Sequence, residues 1–221
     1  MNDGPPSSSD DPLLARLHAR LLGTSPGLAP ESFRLPTRSG AGLLRRRIGE
    51  AGSLRQSAVL VPLVERNGGT TVLLTERSSG LKHHAGQVSF PGGRIESHDE
   101  DPRAAALRET EEEVGIAPAE VQVIGYLDTY VTGTGFSIVP VVGRVRPYRE
   151  LDLDATEVAS AFEVPLDYLI DPANQRIASR EFYGERVEFY EIDYGGRLIW
   201  GATAGIIVGL YEKLQGFEDK N

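Results

Sequence analysis

The chain has 221 residues, 40% of them hydrophobic and 25% charged, a composition typical of a globular protein with one buried core. With 23 basic and 32 acidic residues it carries a net charge of −9, which argues against nucleic acid or an anionic membrane surface as a partner. Cysteine is absent, so disulfides, thiolate metal sites and cysteine nucleophiles are excluded, and we expect a cytoplasmic protein.

The N-terminal region is predicted to precede the main domain. Residues 1–10 are rich in Ser, Pro, Gly and Asp, which predicts a disordered leader without the layout of a signal peptide. A helix is expected from Pro12, because Asp11 can cap it and leucines recur on one face. We therefore expect a leader at 1–10, a helix and connecting segment at 11–52, and the main domain at 53–218.

The remaining segments predict a mixed sheet between helices. Two β-branched runs flank Asn67-Gly68 and predict a hairpin, in which Pro62 indicates an edge strand or a bulge. Further strands are expected in VQVIGYL, FSIVPVVGRV, RVEFYEID and RLIW, and helices around EVASAFEVPLDYL and in ATAGIIVGLYEKLQ. None approaches the about 18 to 20 apolar residues of a membrane span. Because strand and helix do not alternate strictly, we predict the α/β (α+β) class, an α/β/α sandwich with a mixed, largely antiparallel sheet.

An acidic helix is predicted from Pro102 to Val114, with Asp101 before it and Gly115 as its stop signal. At about 100° per residue, the carboxylates of Glu109, Glu112 and Glu113 fall within roughly 100° of arc, whereas Glu111 points away. The opposite, core-facing side is expected to consist of Ala104, Leu107, Thr110 and Val114. Carboxylates at this spacing suit Mg²⁺ or Mn²⁺, the expected cofactor. A solvated acidic face is the plain alternative.

The residues around this helix resemble the signature box of the Nudix hydrolases. Gly93, Asp99 and the run from Arg108 to Ile116 follow the order of that box, after the glycine-containing SFPGG segment. The family places its first acidic residue seven positions before the Arg-Glu pair, whereas this chain has one inserted residue between Asp99 and Arg108, or uses Glu100 if Gly93 is not the anchor. The resemblance implies a Nudix-type fold, a divalent metal ion and hydrolysis of a pyrophosphate bond in a nucleoside diphosphate derivative.

The upstream segment resembles one branch of that family, the coenzyme A pyrophosphatases. The match covers residues 73–93, LLTERSSGLKHHAGQVSFPGG, with Lys82 where an arginine is expected, and GYLDTYVTGTGF and IWGATAGI look similar as well. This resemblance implies coenzyme A or a derivative as substrate, with 3′,5′-ADP and 4′-phosphopantetheine as products. Three alternatives stay open: the same chemistry on ADP-ribose, a dinucleotide or an oxidised nucleotide; a Nudix-fold binding module without catalysis; and an acidic helix that docks a basic partner.

Within the box, Glu109 and Glu113 are the expected primary metal ligands, one helical turn apart. Glu112 is expected to be a further ligand or to orient the attacking water. The catalytic base is Glu109 or a carboxylate outside the box. Arg108 orients a box glutamate, as the resemblance implies, or forms an ordinary surface ion pair with Glu112.

Candidate substrate contacts lie mainly before the helix. Arg77 and Lys82 are expected to hold phosphates or to be solvated surface charges, and the backbone of Gly92 and Gly93 lies close to a ligand. The remaining candidates are His84 or Gln87, with His83 pointing elsewhere, and Phe136 as a ring that stacks on the substrate or anchors its loop. The N-terminal helix either covers the pocket or forms a homodimer contact.

Overall fold

The computed structural model describes residues 11–27, 34, 54–80, 84–148, 150–182 and 184–216. Within these residues one mixed sheet forms the centre of the molecule, with the strand order β3-β2-β1-β7-β5. Three more strands join it at the sides: β4 pairs with β1, β6 with β7, and β8 with β2. The strands are β1 (Arg55–Arg66), β2 (Gly69–Arg77), β3 (Val88–Ser89), β4 (Gly92–Arg94), β5 (Val121–Tyr126), β6 (Tyr130–Val131), β7 (Phe136–Val145) and β8 (Val158–Pro165). In these ladders the β1–β7 pair is parallel and the others are antiparallel.

Helices cover both faces of this sheet, which confirms the predicted α/β/α architecture. The helices are α1 (Pro12–Leu21), α2 (Pro102–Val114), α3 (Leu166–Ile170) and α4 (Ala202–Gln215). On one face, α2 packs with the β1 residues Ala58, Leu60 and Val64. On the other face, α1, α3 and α4 enclose Val61 and Leu63 of the same strand. Because side chains alternate along a strand, β1 contributes to both cores and must be central.

Pro62 is therefore not on an edge strand, and of the two alternatives, edge strand or bulge, the first is wrong. One side of β1 pairs in parallel with β7, where Pro62 lies opposite Gly143. On its other side β1 changes partner, from β4 at Val59 to β2 at Leu63. Proline has no N–H to donate, and it occupies the gap between these two ladders.

The segment expected to be helical around residues 157–169 is mostly strand. β8 pairs with β2 from Val158 to Pro165, and only the short α3 follows. Long-range pairing outweighs the weak local helical pattern here, and Pro165 stands at the start of the helix, where its missing N–H costs no helical hydrogen bond.

A second sheet of three strands follows, in the order β11-β10-β9. Its strands are β9 (Arg176–Phe182), β10 (Glu185–Tyr194) and β11 (Arg197–Trp200). The predicted hairpin between β10 and β11 is confirmed, and its turn uses the positive φ angles of Gly195 and Gly196. β9 was not among the predicted strands.

α1 is tied to the rest of the molecule by polar and apolar contacts. Asp11 accepts hydrogen bonds from the Leu13 and Leu14 amides at 2.9 and 3.4 Å, and from both the amide and the hydroxyl of Thr70. Burial acts against ionisation of Asp11, but these hydrogen bonds outweigh it and lower its pKa. The leucines on the buried face of α1 are Leu14, Leu17 and Leu21.

The proposed leader and most of the connecting segment lie outside the described residues. No helix in the described part of the chain is long and apolar enough to cross a membrane.

Candidate active site

The acidic helix α2 has the bounds that its end signals predict. The Asp101 side chain accepts a hydrogen bond from the Ala104 amide at 2.8 Å, and Gly115 ends the helix in the left-handed region at φ 74°. Leu107, Thr110 and Val114 are buried as expected, but Ala104 is only half-buried, since Ala105 and Ala106 occupy the core instead. The buried arc is thus displaced toward the carboxylate side of the helix.

That displacement separates the three glutamates expected to converge. Glu113 is 3% exposed, at the margin of the buried arc. The Glu109 side chain is 17% exposed and that of Glu112 is 59% exposed. Glu111 is exposed, as expected. Glu109 and Glu113 therefore face inward, toward β4, and Glu112 lies on the solvent side.

Gly92 and Gly93 allow β4 to lie against these two carboxylates. The Gly92 amide donates a hydrogen bond to Glu113 Oε2 at 3.3 Å. A Cβ on Gly93 would lie 2.6 Å from Glu109 Oε1 and 2.5 Å from Oε2, a separation that no side chain can occupy. Gly92 has φ 148°, and its Cβ would overlap the backbone of Ala58 and Val59 in β1. The close approach expected at these glycines is thus made to the box glutamates and to β1.

Arg108 connects three acidic residues. It donates to both oxygens of Asp99 at 3.0 Å, to Glu109 Oε1 at 2.9 Å and to Glu112 Oε2 at 3.0 Å. A further donor reaches the Arg94 carbonyl at 3.2 Å. Arg108 therefore contacts Glu109, as the orienting role requires, and also forms the surface ion pair with Glu112. Asp99 also accepts from the Glu96 amide, and the Arg108 hydrogen bonds lower its pKa.

Burial disfavours the ionised form of both inward-facing glutamates. Burial raises the pKa of Glu113 to about 8, although the Gly92 amide and Arg77 partly oppose the shift. Burial also raises the pKa of Glu109, against the effect of Arg108. Glu157 adds to both shifts through its negative charge. Glu157 lies outside the box, directly before β8, and no sequence motif marks it as a site residue.

A cavity of about 560 Å³ lies beside β4. Of the seven candidate substrate residues, the lining includes Arg77, His84, Gln87, Gly92, Gly93 and Phe136. The seventh, Lys82, lies outside the described residues, as does His83. Sequence reasoning did not identify the wall formed by β9–β11, which contributes Arg180, Phe189 and Trp200.

The loop before β3 positions Arg77 at this cavity. The Arg77 amide donates to the Gln87 carbonyl, and the Gly86 amide donates to the Arg77 carbonyl, both at 3.0 Å. His84 adopts φ 61°, an uncommon value for a non-glycine residue, and its Nδ1 lies 2.8 Å from Gln87 Oε1. Arg77 Nη1 lies 3.8 Å from Glu113 Oε1. The loop thus connects the cavity to the buried box glutamate.

Phe136 is partly engaged by the protein itself. The Arg55 guanidinium lies 3.9 Å from the ring centroid, and the same arginine donates to the Thr134 carbonyl at 2.9 Å. These contacts anchor the loop, and the ring also lines the cavity.

A model of the NUDIX domain matches residues 54–184, which is more than half of the chain. The chain belongs to the Nudix hydrolase family. It is 43% identical over 166 residues to the uncharacterized Nudix hydrolase NudL of Citrobacter koseri, covering 75% of this chain and 86% of that protein. The NudL of Escherichia coli K12 is 41% identical over the same length and coverage. An Ap4A hydrolase structure from C. elegans aligns over 50% of this chain and 80% of its own, with 21% identity and a TM-score of 0.44.

The inward-facing residues of the Nudix box suit a divalent cation, the kind of cofactor that Nudix hydrolases generally use. Among the described residues, no three His, Asp or Glu side chains are already arranged as a metal site. Glu109 and Glu113 nevertheless offer hard oxygen donors, and burial raises the pKa of both. A cation bound by them would favour the ionised carboxylates, which burial now disfavours.

Proposed function

We propose that this Nudix hydrolase cleaves the pyrophosphate bond of coenzyme A or its derivatives, giving 3′,5′-ADP and 4′-phosphopantetheine. Membership of the family establishes the coarser activity, hydrolysis of a nucleoside diphosphate derivative. The observation that supports coenzyme A as the substrate concerns residues 73–93, the segment that resembles the coenzyme A branch. Arg77 and most of the described residues from His84 to Gly93 line the cavity, and through Arg77 and Gly92 the same segment contacts the buried Glu113.

We assign the site residues two roles: some compensate charge by holding a metal ion, and others position the reacting groups. Glu109 and Glu113 would hold Mg²⁺ or Mn²⁺, which when bound offsets phosphate charge and acidifies a water molecule. Glu112 would join them as a further ligand or a water-orienting group, leaving its contact with Arg108. Arg108 fixes the Glu109 carboxylate, and Arg77 is placed to bind a phosphate oxygen at the cavity wall.

The proton acceptor for the attacking water has two candidates. Glu109 is one, because its pKa is raised by burial. Glu157 is the other, as a carboxylate outside the box whose charge acts on both Glu109 and Glu113. Glu157 is anchored where its carbonyl accepts a hydrogen bond from the Ser78 amide at 2.8 Å, next to Arg77.

Product analysis tests the substrate, the reaction and the cofactor together. The purified chain is incubated with coenzyme A, ADP-ribose or NADH, with Mg²⁺, with Mn²⁺ or with a chelator, and products are separated by chromatography. We expect 3′,5′-ADP and 4′-phosphopantetheine only when metal is present. A large preference for ADP-ribose or NADH would overturn the coenzyme A assignment.

A substitution pair in α2 tests the box. Glu109→Gln keeps the shape of the side chain but removes a metal-binding charge, so we expect a loss of kcat by at least about 100-fold. Glu111→Gln is the matched control, since Glu111 lies on the same helix and is exposed. Unchanged turnover by Glu109→Gln would contradict the assigned role.

A further inference from the structure

The wall formed by β9–β11 holds an arginine against two aromatic rings. The Arg180 guanidinium carbon lies 4.7 Å from the Trp200 ring centroid and 5.5 Å from that of Phe189. The two rings are themselves 5.6 Å apart and inclined at 59°. All three side chains line the cavity. Stacking restricts the guanidinium plane and leaves its N–H edges to bind other groups.

Arg180 differs in its charge environment from three arginines elsewhere in the fold. Arg66, Arg108 and Arg144 each form an ion pair with a carboxylate. In the part of the chain that the structure describes, no carboxylate lies within ion-pair distance of Arg180. Its positive charge is therefore available at the cavity wall of a protein whose net charge is −9.

This cationic position is separate from the part of the cavity next to the box. Arg77 and Gly92 contact Glu113, so they mark where the bridging pyrophosphate must lie to be cleaved. β3 and the start of α4 lie between β4 and the second sheet, joined by the hydrogen bond from the Thr203 hydroxyl to the Val88 carbonyl at 3.0 Å. A substrate that reaches both walls would match Arg180 best with a negative group apart from its bridging pyrophosphate.

We infer that Arg180, held by Phe189 and Trp200, binds a phosphomonoester on the nucleotide half of the substrate. The inference rests on the proposed function and narrows it, because it makes the additional phosphate a determinant of substrate choice. The ring of Trp200 offers a flat apolar surface for the neighbouring base. Coenzyme A carries such a phosphate on its ribose, and dephospho-coenzyme A, with the same pyrophosphate, lacks it.

The test compares these two substrates in wild type, Arg180→Gln and Arg180→Lys. Loss of a charged hydrogen bond corresponds to about 10- to 100-fold, so Arg180→Gln should lower kcat/KM for coenzyme A by that factor. Its kcat/KM for dephospho-coenzyme A should change by less than about 3-fold, and Arg180→Lys should retain part of the preference. Arg176→Gln, on the same strand but outside the cavity lining, is the matched control. Equal losses for both substrates, or no loss for coenzyme A, would overturn the inference and leave the proposed function intact.

A binding measurement separates the inference from the catalytic proposal. Calorimetry with 3′,5′-ADP and with 5′-AMP needs no turnover, and it is done on wild type and Arg180→Gln. We expect wild type to bind 3′,5′-ADP at least about 10-fold more tightly, and Arg180→Gln to lose that difference. Equal affinities in wild type would refute the phosphate site even if coenzyme A is hydrolysed. A preference for 3′,5′-ADP without hydrolysis of coenzyme A would support the site and reject the proposed reaction.

Discussion

Replacing Gly93 by alanine should displace the Glu109 carboxylate without unfolding the protein. The new Cβ would lie 2.5 and 2.6 Å from the two carboxylate oxygens. The nearest atom is the carboxylate carbon, Glu109 Cδ, at 2.4 Å, so restoring an ordinary nonbonded distance of about 3.4 Å requires a shift of about 1 Å. The atoms in the way belong to the end of a flexible side chain, so this side chain moves and the backbone does not. A displacement of about 1 Å in a catalytic group costs roughly 100-fold in rate.

The assay measures kcat and kcat/KM for coenzyme A hydrolysis with saturating Mg²⁺, together with the urea midpoint of unfolding. We expect Gly93→Ala to lose about 100-fold in kcat and less than about 1 kcal/mol of stability. Gly68→Ala is the control, because a Cβ there has no neighbour within 4 Å. Turnover within about 3-fold of wild type, in a folded Gly93→Ala protein, would refute the role assigned to the Glu109 position.

Three further substitutions test the surroundings of the site and the fold. Gly92→Ala meets the backbone of β1 and a positive φ, so it should lower the free energy of unfolding by at least about 2 kcal/mol in urea titrations. Asp99→Asn removes the charge that pairs with Arg108 and should lower kcat about 10-fold, whereas Glu100→Gln should leave kcat unchanged. Equal effects of the two substitutions would contradict the role of Asp99. Burial would raise the pKa of Glu163, but hydrogen bonds from an arginine, a threonine and a tyrosine hold it at about 2, below its unfolded value. Its stabilisation is thus present above about pH 4.3 and is lost as pH falls toward 2. Over this pH range the free energy of unfolding, measured by titration, should fall by about 1 to 2 kcal/mol less in Glu163→Gln than in wild type, allowing for solvent screening. An identical pH profile in the two proteins would exclude Glu163 as the cause.

The parts of the fold that local signals determine can be predicted from the sequence. Asp101, Pro102 and Gly115 set the ends of α2 through capping and backbone geometry, which depend on a few adjacent residues. The apolar spacing of α4 and the Gly-Gly turn between β10 and β11 are equally local. Each of these elements lies where the sequence predicts it.

The parts that depend on distant residues cannot be predicted in this way. Pro62 looks like an edge residue until the change of partner along β1 is known. β8 is held in the strand conformation by β2, more than 80 residues earlier, so the position of Glu157 near the box is not visible locally. Arg180 gains significance only because Phe189 and Trp200 meet it on neighbouring strands.

The contact between Asp99 and Arg108 has a practical consequence for finding related proteins. The segment between Asp99 and Arg108 is one residue longer than in the usual pattern, yet both oxygens of Asp99 accept hydrogen bonds from the guanidinium. A search pattern with a fixed gap before the Arg-Glu pair would discard this chain. A pattern that allows a variable gap there, and requires only an acidic side chain able to reach the arginine, would recover it.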